Sequence, residues 1–198
     1  LWVGWFGFNA GSALAANQNA AMAMLVTHIS AAAATITWMA IDWYKNGKPG
    51  LVGMITGMVA GLATVTPASG YIGPMGGLIL GISSGLICYW FVGFIKNAMN
   101  IDDSLDVFAV HGVGGILGTI LCGLLATSQY GGLGLDTTVW EQTKVQIIGV
   151  LSISLYTLIA TTIIVFVVKS LIGLRVSEQE ENTEGLDFGS HGESSYRL

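Results

Sequence analysis

His111 sits where an ionisable side chain is costly. It lies seven residues into an apolar run that starts near Ser104, about 10 Å from its end at 1.5 Å per residue. An imidazole at that depth in an apolar segment is a functional residue by default. In a regular helix Val107, Phe108, Gly114 and Gly115 flank it, apolar on one side and bare on the other. A neutral imidazole carries one donor and one acceptor, and both need partners. Either a neighbouring helix supplies them, or the ring lines a conduction path. Asp106 precedes it in Ile101-Asp-Asp-Ser-Leu-Asp106. There Ser104 suits a helix N-cap and carboxylates suit the first turn. Ser104 and Asp106 are therefore expected to be structural, with a carboxylate at a pore mouth as the alternative. Asp106 and His111 are five residues apart, about 140° round a helix, so they do not form a facing pair.

A second stripe lies near the start. Trp5, Phe8 and Ser12 fall at i, i+3 and i+7, on one helix face. A hydroxyl followed by aromatic rings suits a small cation, which the π-faces favour as it loses water. The plain alternative is a packing stripe with an interfacial serine. Asn9, one position off, is expected to hydrogen-bond a neighbouring helix. His28 lies among Thr27, Ser30 and Ala31 and reads as an interhelical hydrogen bond. His191, in a polar tail, has no companion of metal-ligand spacing. No Ser/His/Asp constellation, HExxH, P-loop or dinucleotide fingerprint appears. The sequence therefore points to no enzyme, no cofactor and no metal.

The elements that position these residues follow from composition. Of 198 residues 53% are hydrophobic and 10% charged, against about 25% charged in soluble domains. Mean hydropathy is +0.68. Seven Lys and Arg in all are too few for a phosphate-tracking surface, which excludes nucleic acid as a partner. The class is a polytopic all-α membrane bundle in contact with lipid. The net charge of −5 is concentrated in residues 172–198, where six acidic residues face Arg175 and Arg197. The organisation expected is a transmembrane domain over 1–171 and a polar tail over 172–198. Cys88 and Cys122 fall in apolar runs and read as buried thiols rather than a disulfide.

Counting about 20 apolar residues per crossing gives a truncated span over 1–17 and five full ones: 19–41, 51–66, 71–95, 105–127 and 145–168. No secretory leader is visible, and the opening at Leu1 inside an apolar run reads as a cut through a span. The loops 42–50, 96–104 and 169–198 then share one side, with Lys45, Lys48, Lys96, Lys169, Arg175 and Arg197. The other side has Lys144 alone. By the positive-inside rule the C-terminus is cytoplasmic, and Ser104 and Asp106 stand at the inner mouth. Glycines recur every fourth residue at 53, 57, 61, then 73, 77, 81, 85, then 114, 118. Such faces let helix backbones approach closely. The short 51–66 run, broken by Thr66-Pro67, also fits a discontinuous transporter helix.

Several stretches carry a resemblance. They are Gly7-Phe-Asn-Ala-Gly-Ser12, Thr66-Pro-Ala-Ser-Gly-Tyr-Ile-Gly73, Asp106-Val-Phe-Ala-Val-His-Gly-Val-Gly-Gly-Ile116, and in the tail Gly173-Leu-Arg-Val176, Glu184-Gly-Leu-Asp187 and His191-Gly-Glu-Ser-Ser-Tyr196. From end to end the chain resembles the Amt/Mep ammonium transporters, and the Amt branch more than the Rh branch. The resemblance implies the second inverted repeat of an eleven-span fold, from the sixth span onward, with the last span and a cytoplasmic regulatory tail. It implies a homotrimer in the plasma membrane whose hydrophobic pores conduct ammonia after ammonium loses a proton. An ammonium sensor that keeps the pore and signals through its tail is the alternative. Phe8 resembles one of two stacked gating phenylalanines, Ser12 the hydroxyl of the outer ammonium site, and His111 the second of two pore histidines. Trp5 and Val107 resemble lumen-lining positions. The partner histidine, the other phenylalanine, the recruiting tryptophan and an aspartate belong to the family's first half. A PII-type signalling protein is the implied partner at the inner face. Plant members carry a regulatory Thr where this chain has Gly189, beside Ser190, so phosphorylation there is not expected. Leu174, Leu186, Phe188 and Tyr196 are spaced apolar anchors suited to pinning the tail on the inner loops, where Lys45, Lys48 and Lys96 are available to its carboxylates.

Overall fold

In a computed structural model, residues 1–183 and 185–193 are described, and every regular element among them is helical. Glu184 and residues 194–198, including the expected anchor Tyr196, lie outside the described residues. By packing the chain divides into two compact units, Leu1–Leu151 and Ser152–Leu198.

The first unit holds α1 (Trp2–Gly11), α2 (Gln18–Asn46), α3 (Leu51–Val65), α4 (Pro74–Gly93) and α5 (Gly114–Leu125). Two wide π-helical turns, Phe94–Ala98 and Phe108–Val113, extend α4 and precede α5. Helix α6 (Val139–Leu171) begins in this unit and runs past its boundary. Local chemistry sets the helix ends. The Asn17 side chain accepts from the Ala20 N–H at 3.0 Å and starts α2. Gly47, at φ 74°, ends it in the left-handed conformation that lacks a Cβ clash. Pro74 takes the first position of α4, where its missing N–H costs nothing.

Among the described residues four helices are long and apolar enough to cross a membrane: Gln18–Asn46, Pro74–Ala98, Phe108–Leu125 and Val139–Leu171. The expected fifth crossing is shorter. Helix α3 has 15 residues, about 22 Å at 1.5 Å per residue, against a hydrocarbon core of about 30 Å. Pro67 cannot continue the hydrogen-bond ladder, and the chain turns at once. Helix α1, expected within 1–17, has 10 residues and ends at Gly11.

The glycine faces are the packing surfaces of this unit. Helix α2 lies against both α3 and α4, and Ser30 is the common point. A Cβ on Gly61 or on Gly81 would stand 2.5 Å from the Ser30 carbonyl oxygen. Backbones approach there because neither residue carries a side chain. The Ser30 hydroxyl, fully buried, donates to the Gly61 carbonyl at 2.9 Å. Apolar contact completes this side, with Val26, Val65, Leu80 and Ile72 in one cluster and Trp38, Ala60, Cys88 and Val110 in another. Cys88 and Cys122 are buried free thiols.

The second unit begins within α6, ahead of the change in polarity at residue 172. It continues with α7 (Glu178–Thr183) and α8 (Leu186–His191). Gly185, at φ 72°, lies between the two short helices, and the Ser190 hydroxyl donates to Glu180 Oε1 at 3.1 Å. Leu174, Leu186 and Phe188 are exposed.

Candidate functional site

Two elements far apart in sequence bring their rings together. The Trp5 indole of α1 and the His111 imidazole lie nearly parallel, 14° between planes and 6.5 Å between centroids. Phe8 meets the indole edge-on at 6.1 Å and 82°. Phe8 and His111 are exposed and Trp5 half-buried, so the three rings form an open strip. Val107, 51% exposed, stands one turn before His111.

Asn9 anchors the adjoining face of α1. It is buried, and its Nδ2 donates to Thr27 Oγ1 of α2 at 2.9 Å. Since i and i+4 share a helix face, fixing Asn9 inward fixes Trp5 at its edge and turns Phe8 outward. The Trp5 indole N–H donates to Thr66 Oγ1 at 2.8 Å.

His111 sits within the π-helical turn Phe108–Val113, where a regular helix was expected. Such turns carry i→i+5 bonds and occur often at functional sites. The start of this turn is capped from just upstream. Asp103 takes the Val107 N–H at 2.8 Å and the Phe108 N–H at 2.9 Å, one on each carboxylate oxygen. Asp103, not Ser104, is therefore the cap. Ser104 donates instead to Asp102 Oδ1 at 3.2 Å and is exposed. A carboxylate reaches two backbone donors at once, which a hydroxyl with one oxygen does less well. Asp106 has φ 57° and pairs with Lys96 at 2.7 Å, its side chain 16% exposed. This contact joins the two π-helical turns. Lys96 is thus occupied by Asp106, and Lys45 lies over the Tyr89 ring at 4.7 Å.

Ser12 follows α1 as its C-cap, and its hydroxyl donates to the Phe8 carbonyl at 2.7 Å. With its proton committed, the serine oxygen presents lone pairs, which suit an N–H donor. It borders a cavity of about 320 Å3 shared with Asn9, Asn19, Thr66, Ser69 and Tyr71. His28 differs from expectation. It is exposed and packs by its ring on Trp2 at 5.0 Å and Phe6 at 6.1 Å, with no interhelical hydrogen bond among the described residues. Its small neighbours Thr27 and Ser30 are engaged elsewhere, Thr27 with Asn9 and Ala23, Ser30 with Gly61.

Sequence reasoning missed Asp103, the Lys96–Asp106 pair and the Thr66 contact. The first had a signal, a carboxylate four residues before Val107. The others join residues that only the tertiary packing brings together.

The fold and these residues define a polytopic all-helical membrane protein with an open imidazole–aromatic strip. The chain matches the Ammonium Transporter Family over residues 1–196, and it belongs to that family. It is 45% identical to an ammonium transporter of Aquifex aeolicus over 199 residues, covering 100% of this chain and 47% of the relative. It is 44% identical to the ammonium transporter Amt1 of Archaeoglobus fulgidus, covering 99% of this chain and 50% of the relative. Among solved structures, Mep2 of Saccharomyces cerevisiae aligns with a TM-score of 0.83 at 31% identity, over 93% of this chain and 44% of that one. A structure named Sensor Amt Protein aligns with a TM-score of 0.84 at 30% identity, over 91% of this chain and 44% of that one. The chain spans about half the length of the relatives it matches.

Proposed function

We propose that this chain forms one wall of an ammonium-conducting pore, and that the activity belongs to a full-length protein in which a second half completes the lumen. The observation that carries this reading is the convergence of Trp5, Phe8 and His111 from two distant segments into one open strip. Ammonium resembles potassium in size and charge, so a charged filter separates them poorly. Ammonium can lose a proton. An apolar lumen rejects ions and admits neutral ammonia. In this reading Ser12 accepts an N–H from ammonium at the outer side, and Phe8 gates the way inward. Ammonium gives its proton to the acceptor nitrogen of the imidazole relay, crosses as neutral ammonia, and takes a proton back from the relay's donor end on the far side. His111 offers one nitrogen as acceptor and one as donor to the passing ammonia and relays the proton. Trp5 and Val107 are lumen walls, and Asp106 braces the inner end through Lys96.

The protein works as a homotrimer in the plasma membrane with its C-terminus cytoplasmic. The six-to-one distribution of basic residues between the loops supports that orientation. The tail over 172–198 is the regulatory element on which a PII-type protein acts. The similarity to Sensor Amt Protein favours a second reading, an ammonium sensor with the same pore and a signalling tail. Purified full-length protein in proteoliposomes separates the two. An ammonium-dependent uptake well above empty vesicles supports the transporter; its absence from well-folded protein supports the sensor.

A further inference from the structure

We infer that Thr66 is a positioning residue for the pore face: its hydroxyl fixes the Trp5 indole, and through the indole the plane against which His111 stacks. The inference rests on the pore reading above. Thr66 closes α3, immediately before Pro67. Its Oγ1 donates to the Leu62 carbonyl at 2.7 Å. A hydroxyl has one proton, and here it is spent. An indole N–H is a donor only. The 2.8 Å contact between Trp5 Nε1 and Thr66 Oγ1 is therefore Trp5 donating, in a direction set by the Leu62 bond.

This bond links positions 61 residues apart. Helix α1 packs mainly on α2 and meets α3 only slightly, so the Thr66 contact is the polar tie between the Trp5 ring and the end of α3. The ring so held is the one that lies 14° from the His111 plane and takes Phe8 on its edge. The tie is not a general property of the helix. The Trp2 indole nitrogen, on the same helix, is buried without a hydrogen-bond partner among the described residues. A freed Trp5 N–H in an apolar lumen would seek another acceptor, either by rotating the indole or by taking the lone pair of passing ammonia.

The test uses full-length protein in proteoliposomes, with labelled methylammonium uptake and ultraviolet resonance Raman of the indole N–H. The difference from Trp5→Phe isolates the Trp5 signal. Thr66→Val, equal in shape but without the acceptor, is expected to lower maximal uptake about three- to tenfold, the range of one hydrogen bond. KM should stay within about twofold, and the Trp5 band should move toward a weaker hydrogen bond. Thr66→Ser should restore both. In a Trp5→Phe background, Thr66→Val should add nothing, since the bond it breaks is already gone. If Thr66→Val does not fold, Trp5→Phe breaks the same bond from the donor side and must show the loss. Parent-like uptake in Thr66→Val beside impaired Trp5→Phe would overturn the inference. So would a Thr66→Val loss that persists undiminished without the indole. Parent-like uptake in both Trp5→Phe and His111→Ala would instead overturn the pore reading beneath it.

Discussion

The two sides of the first unit are built from opposite materials. Where α2 meets α3 and α4, the contact is made by residues with almost no side chain, and Ser30 touches both Gly61 and Gly81 through one carbonyl. Where α1 meets the turn that carries His111, large rings stand open, with Phe8 62% exposed. Both regions are apolar, and hydropathy alone does not separate them. Geometry does. The glycine side has no room left, so its residues answer for stability. The ring side has room, and in the proposed reading its residues answer for what passes.

The sharpest break of this contrast is to add the same methyl group on each side. Gly81→Ala would place its Cβ 2.5 Å from the Ser30 carbonyl oxygen and should cost about 1–3 kcal/mol. Thermal unfolding of the detergent-solubilised full-length protein should fall by several degrees. Gly115, on α5 four residues after His111, has nothing within 4 Å of an added Cβ. Gly115→Ala should unfold within about a degree of the parent, with alanine the better helix former. Equal losses at both sites would dissolve the distinction. On the ring side, Phe8→Ala should leave the unfolding temperature nearly unchanged yet alter gating, read as an ion leak several-fold above the parent in proteoliposomes. A parent-like leak would remove Phe8 from the path.

The tail extends the contrast to a region where Leu174, Leu186 and Phe188 are exposed. Deleting residues 176–198 from the full-length protein should lower uptake about twofold or more, or abolish inhibition by a PII-type partner. Unchanged transport with unchanged inhibition would show that the tail is not the regulatory element. The smallest effect is expected at Ser12. Its hydroxyl is exposed and already donates to Phe8, so Ser12→Ala should weaken ammonium capture only about twofold, seen as a raised KM with maximal uptake kept. A fall in maximal uptake at constant KM would place Ser12 elsewhere than in capture.

Much of this was legible in the sequence. The apolar runs delimit α2, α4 and α6 because a crossing needs length and absence of charge, both visible in the residues. The glycine spacing of four points to packing faces because helical geometry repeats at that interval. Asn9 was expected to reach a neighbouring helix and reaches Thr27. What was not legible depends on side-chain direction. Ser104 and Asp103 are both good caps by type, and only the reach of the Asp103 carboxylate to Val107 and Phe108 selects between them. The π-helical turn at Phe108–Val113 shifts the neighbours that regular spacing gave to His111. His28 and His111 are alike in sequence, each an imidazole within an apolar run. The structure gives each a tryptophan of α1, but Trp5 is tied by its N–H and Trp2 is not.

That last difference is the place to test the central claim, that His111 lines the conduction path. Ammonium uptake into proteoliposomes should be measured for the full-length protein carrying His111→Ala or His28→Ala, with potassium as the competing ion and the trimer verified by size exclusion. The account predicts an intact trimer in both. His111→Ala should lose about tenfold or more in uptake or in preference for ammonium over potassium, a lower bound beside the roughly hundredfold or more that a proton-transferring group contributes to a rate. His28→Ala should stay within about twofold. Unchanged uptake and selectivity in His111→Ala, or equal losses in the two variants, would contradict it.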